Sequence, residues 1–123
     1  MEPTEVTSGE GVHLTLYWQA GSPIAEDYTV FVHLVDGSGT LRSQADSMPW
    51  HNAFCTSRWP PGMLIPDEYE LTVPEDAPPG ECRVAIGLYL WQTDERLPLR
   101  TAKGDLLPDG FLFLEPPITA LVN

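Results

Sequence analysis

Nucleophilic catalysis needs a Ser or Cys beside a group that takes its proton, with a third group orienting that base. The chain carries three histidines, His13, His33 and His51, and none stands in a motif that places it beside a nucleophile. His13 and His33 fall within strand-like stretches, where a hydrogen-bonded structural histidine is the commoner outcome. His51 and Cys55 are the closest His and Cys in the sequence, but they fall short of the ligand count of a closed zinc site. Acidic neighbours occur at Asp67-Glu68, Glu75-Asp76 and Asp94-Glu95. Adjacent carboxylates on a strand point to opposite faces, so they do not make the facing pair that glycoside hydrolysis requires. Asp36 with the Ser38 hydroxyl offers oxygens to a hard cation, a minor alternative beside a plain turn. No catalytic residue, metal site or cofactor is therefore expected.

Aromatic residues give the better binding signal. Trp50, Trp59, Trp91, Tyr17 and Tyr89 include members that can face outward. A flat ring flanked by Asp, Arg or Gln can stack on a sugar and hydrogen-bond its hydroxyls. The candidate ligand-binding residues are Trp50, His51, Arg58, Trp59 and Trp91. The plainer alternative has Trp18 and Trp59 filling the core, Tyr17 and Tyr89 forming a cross-strand pair, and the aromatics of the 47–62 segment plugging one end of the fold.

The elements that must position these residues read as strands. At 123 residues the chain fits one domain with a substantial core. Short β-branched and aromatic runs alternate with Gly, Pro, Asp and Ser. Val12, Leu14, Leu16, Trp18 and Ala20 share one parity, a half-buried strand. Tyr28 to Asp36 is apolar on both faces, which suits a central strand. Asp36-Gly37-Ser38-Gly39 then turns the chain into a polar return arm, Leu41 to Asp46, near an edge. Periodicity fails from Ser47 to Gly62, and irregular segments of that length are often functional.

Alternation resumes from Met63 to Val73, with Ile65, Asp67, Tyr69, Leu71 and Val73 on one side. After the stiff Pro74 to Gly80 connection, Glu81 to Trp91 places Cys82, Val84, Ile86, Leu88 and Leu90 inward. The stretch from Asp67 to Trp91 reads as the leading strand pair. Leu97 to Arg100 is a short return, and Phe111 to Leu114 a last strand that Ile118 to Val122 extends past Pro116-Pro117. The expectation is an all-β, antiparallel two-sheet β-sandwich of immunoglobulin or fibronectin type with about seven strands. Residues 1–11 form a lead-in or edge segment, and 12–123 the single domain. Cys55 and Cys82 are expected as free thiols, Cys82 acting as a small buried apolar residue.

Charge narrows the partners. Eighteen acidic residues against six basic ones give a formal charge of −12, which repels nucleic acid and anionic membrane surfaces at long range. No apolar run is long enough to span a membrane, and Met1 to Glu5 lacks the basic and apolar parts of a signal peptide.

Several motifs together resemble a known module: Leu14 to Ala20, Tyr28 to Leu34, Thr56-Ser57-Arg58-Trp59 with Pro61-Gly62, Pro78-Pro79-Gly80, Gly87-Leu88-Tyr89 and Glu95-Arg96-Leu97-Pro98. The pattern is similar to the extracytoplasmic C-terminal β-sandwich of bacterial membrane proteins related to glycosyltransferases of the protein-mannosyltransferase type. The resemblance spans roughly residues 12 to 115. It implies a non-catalytic accessory domain outside the membrane, at the cell surface or in the periplasm, tethered to an enzyme that handles lipid-linked sugars. Its implied partner is a glycan or a neighbouring domain; the alternative is a structural spacer with no ligand of its own. No catalytic residue carries over from it.

Overall fold

The computed structural model describes residues 5–7, 9–50, 52–76, 78–101, 105–107 and 110–114, and the backbone of 118–121. Ten strands are formed among the described residues: β1 Glu5–Thr7, β2 Gly11–Trp18, β3 Thr29–Asp36, β4 Leu41–Gln44, β5 Ile65–Thr72, β6 Gly80–Tyr89, β7 Leu99–Arg100, β8 Leu106–Leu107, β9 Phe111–Phe113 and β10 Ile118–Leu121. The fold is all-β, as the alternation predicts, but with more and shorter strands than the seven expected. The pair Leu106–Leu107 is too short to show a period, yet it forms a strand against Leu99–Arg100, inside the short return expected at Leu97 to Arg100.

The largest sheet runs β1-β10-β6-β3-β4, with β9 also on β6. All its ladders are antiparallel except β1 on β10, which is parallel. β1 lies inside the segment read as a lead-in or edge. It is an edge strand, and Val6 reaches the core. β2 and β5 form a separate antiparallel pair, Gly11 opposite Thr72 through Trp18 opposite Ile65. Side chains from both sheets meet in one buried cluster: Leu14 and Leu16 from β2, Ile65 and Leu71 from β5, Val32 and Leu34 from β3, Val84 and Leu88 from β6. Each large aliphatic side chain taken fully out of water contributes about 1.5–3 kcal/mol, so this shared cluster is what holds the sheets together.

The stretch 67–91 is not a strand pair. β5 pairs with β2, and β6 with β3, so the intervening prolines carry the chain from one sheet to the other. Pro74, Pro78 and Pro79 hold φ near one value and donate no hydrogen bond, which suits a crossing connection and not a tight hairpin. β6 is instead the spine of the larger sheet. One edge pairs with β3 from Thr29–Tyr89 to Asp36–Cys82. The other edge is shared by β10 at residues 80–82, β9 at residues 85–87, and the returning segment through Tyr89 opposite Arg96.

Gly87 is required where it stands. A Cβ there would lie 2.3 Å from the Gly110 carbonyl oxygen and 2.4 Å from the Phe31 ring. Tyr17 and Tyr89 do not face each other, because Tyr17 opposes Pro66 and Tyr89 opposes Thr29 in different sheets. The β3–β4 turn forms as expected, with Gly39 at φ 85°. Both cysteines are free thiols; Cys82 is buried, and burial, followed by the nearby Asp36 charge, pushes its thiol pKa up against the opposing pull of Arg42.

Candidate functional site

The irregular segment between β4 and β5 is folded by a buried carboxylate. Asp67 has the inward parity of β5 and is 1% exposed. Its Oδ2 accepts from the Tyr69 hydroxyl at 2.7 Å and the Trp18 indole N–H at 3.3 Å, and its Oδ1 accepts from the Trp50 backbone N–H at 2.9 Å. The Trp50 indole N–H donates to the Pro66 carbonyl. Ser47 Oγ donates to the Tyr69 hydroxyl at 3.4 Å. A buried carboxylate is tolerated when its oxygens are occupied by donors in this way, and here the donors come from β2, from β5 itself and from the start of the loop. Burial pushes the Tyr69 phenol far above its ordinary value; the neighbouring Asp67 adds to that, while the Ser47 bond opposes it.

The same loop is pinned again at Thr56, buried in the 3-10 turn Thr56–Arg58. Its hydroxyl donates to the Glu26 carbonyl at 2.5 Å and accepts from the Tyr28 N–H at 3.0 Å. Ser57 N–H donates to Asp27 Oδ1 at 3.0 Å. Hydrogen bonds from Ser57, side chain first, hold the Asp27 carboxyl below the usual range, with a smaller contribution from the Arg58 charge.

These anchors leave an open cleft of about 510 Å³ beside the loop. Its polar walls come from Asp27, Gln44, Asp46, Asn52 and Gln92, and its aromatic ones from Tyr89 and Trp91. Tyr89 ends β6 and Trp91 lies in the turn that follows, yet both line the cleft. Trp91 is 76% exposed. At the cleft's inner edge Asp46 Oδ1 lies 3.5 Å from His33 Nε2.

The five residues marked by the sequence do not converge. Trp91 lines the cleft. Trp50 is 45% exposed, but its backbone and indole nitrogens are spent on β5 and its ring leans on Phe54 at 5.2 Å. Trp59 is buried in the core, its indole donating to the Phe54 carbonyl at 3.0 Å, and offers no ring face to a ligand. Arg58 is exposed at the end of the 3-10 turn, near Asp27 but outside the cleft lining. His51 lies outside the described residues. The polar residues of the cleft were not singled out, because they come from four separate stretches of chain. Asp67 carried a readable signal, a carboxylate on an otherwise apolar parity.

Asp36 is the other oxygen-rich position. Its Oδ1 accepts from Ser38 N–H and Oγ and from Thr40 N–H, and Oδ2 accepts from Arg42 Nε at 2.8 Å. The Ser38 hydroxyl first, then Arg42, hold its carboxyl far below the usual range. Three turn donors and a guanidinium make this a turn lock and not a cation site. Among the described residues no three His, Cys, Asp or Glu side chains group to hold a metal. No helix among them is long and apolar enough to cross a membrane. No family model, curated protein or solved structure matches the chain.

Proposed function

We propose that this chain is a non-catalytic accessory β-domain that binds a glycan in the cleft at Trp91. The observation that carries this reading is a tryptophan left 76% in water on the wall of a cleft that also supplies Gln44, Asn52 and Gln92 as hydrogen-bonding amides. A solvated indole is costly to leave bare, and its face suits the axial C–H groups of a pyranose while amides and carboxylates satisfy the ring hydroxyls. A glycosidase acid needs its carboxyl raised, whereas hydrogen bonds from Ser57 move Asp27 the other way. Ser47 Oγ is turned to Tyr69. With the resemblance of the strand motifs, the setting proposed is a tethered, extracytoplasmic one.

The test is a titration of neutral and charged oligosaccharides followed by tryptophan fluorescence and by heat. Binding to at least one of them, lost in Trp91→Ala and kept in Trp50→Ala, is the expected result. Absence of any fluorescence change or heat across the panel overturns the reading and leaves the spacer.

A further inference from the structure

Resting on the glycan reading, we infer that the cleft selects a sugar bearing an ammonium group: an amino sugar whose nitrogen is free, in preference to its N-acetylated or uronate counterpart. Three observations converge on a cation. First, among the described residues the charged side chains lining the cleft are Asp27 and Asp46. Second, the aromatic walls are Trp91 and Tyr89, and an aromatic face attracts a cation through its quadrupole, tryptophan most strongly. Third, the surrounding field is negative. The Tyr89 phenol is pushed up by burial and then by Asp46 and Asp94, and the Tyr28 phenol by burial and then by Glu26 and Glu95.

The basic groups nearby stand outside the described lining. Arg58 sits beside Asp27, Arg96 pairs with Tyr89 through the backbone and lies over the Phe31 ring at 5.2 Å, and His33 packs on Phe31 with Nε2 3.5 Å from Asp46 Oδ1. Hydrogen bonds from Ser57 lower the Asp27 pKa further below its ordinary value, and the Ser57 N–H reaches Oδ1. A neutral sugar would meet the carboxylates with hydroxyl hydrogen bonds alone. An ammonium group adds a charge-assisted bond to a carboxylate and the attraction of an aromatic face. A uronate would be repelled.

The experiment compares three oligosaccharides of equal length with the intact chain by calorimetry, near pH 6, where carboxylates are ionised and a sugar amine is protonated. They are a glucosamine oligomer, its N-acetylated form and a uronate oligomer. The expected result is binding of the glucosamine oligomer about tenfold tighter than of the N-acetylated one, a difference of about 1.4 kcal/mol. The uronate oligomer should be weakest. The preference should shrink at high salt, as screened charges require.

Asp46→Asn with Asp27→Asn should erase the preference while retaining the weaker N-acetylated binding. Melting temperatures confirm that the variants fold, and Gln44→Ala serves as a variant that lowers all affinities without changing their ratio. Equal binding of the two amino-sugar forms, or a preference for the acetylated one, overturns this inference and leaves the glycan reading standing. No binding of any oligosaccharide overturns both.

Discussion

The chain uses the same three residue types, Asp, Tyr and Trp, in two places with opposite consequences. In the loop anchor, Asp67, Tyr69 and Trp18 are buried and bonded to one another. In the cleft, Asp46, Tyr89 and Trp91 line open space. The difference is supply of partners. Asp67 receives donors from β2, from its own strand and from the loop, so its charge is compensated inside the fold. Trp91 stands just past the end of β6, beyond the last residue that β3 pairs with, and among the described residues its ring is left 76% exposed. Aromatic and acidic composition therefore does not distinguish a structural cluster from a binding surface; position relative to the sheet ends does.

The sharpest way to break this contrast is to remove the anchor. Asp67→Ala leaves the Trp18 indole, the Tyr69 hydroxyl and the Trp50 N–H without their acceptor, and should cost about 3 kcal/mol or more in urea unfolding. A loss below about 1 kcal/mol would mean the carboxylate is not what folds the loop. Next comes Gly87→Ala, where the added methyl meets the Gly110 carbonyl and Phe31 ring. Overpacking of this kind costs about 1–3 kcal/mol. A neutral result in thermal melts would show that β9 does not lie where described.

Thr56→Val removes both hydroxyl bonds that tie the 3-10 turn to Glu26 and Tyr28, and should cost about 1–2 kcal/mol. Proteolysis between residues 50 and 60 should rise with it. At the small end, Trp91→Ala should leave stability within about 0.5 kcal/mol of the parent, because an exposed ring has little to lose. A larger destabilisation would move Trp91 from binding surface to structure.

The acid limb tests a third, milder case of a compensated carboxylate. The folded-state pKa of Asp36 is depressed by Ser38 and Arg42, so its stabilising contribution is fully present above the unfolded value near 3.8. It is lost as pH falls below that toward the folded value. Asp36→Asn should therefore lower stability at neutral pH and flatten the decline with acid; an unchanged pH profile would remove Asp36 from the explanation.

Much of the local order was legible without coordinates. The inward set of β2, of β5 and of β6, the Asp36 to Thr40 turn, the edge position of β4 and the two free thiols all follow from parity, turn chemistry and burial of apolar side chains. The parity of β5 also puts Asp67 on the same face as Ile65, Tyr69 and Leu71, though its role as an acceptor does not follow from parity. What parity could not supply is which strand lies beside which, and the 67–91 stretch shows why. Neighbours in sequence across a proline-rich connection went to different sheets.

The sequence by itself determined which face of each strand is apolar, because the pleat sends alternate side chains to opposite sides whatever the partner. Only the tertiary structure decided which tryptophan meets water. Trp59 and Trp91 look alike as flat rings beside a polar neighbour, Arg58 and Gln92, and their exposures differ from 4% to 76%. That difference arises from residues distant in the chain: Trp59 is covered by the core between two sheets, and Trp91 lies where the paired part of the larger sheet has ended. Exposure is a property of the space around a side chain, filled or left open by elements that local spacing does not encode.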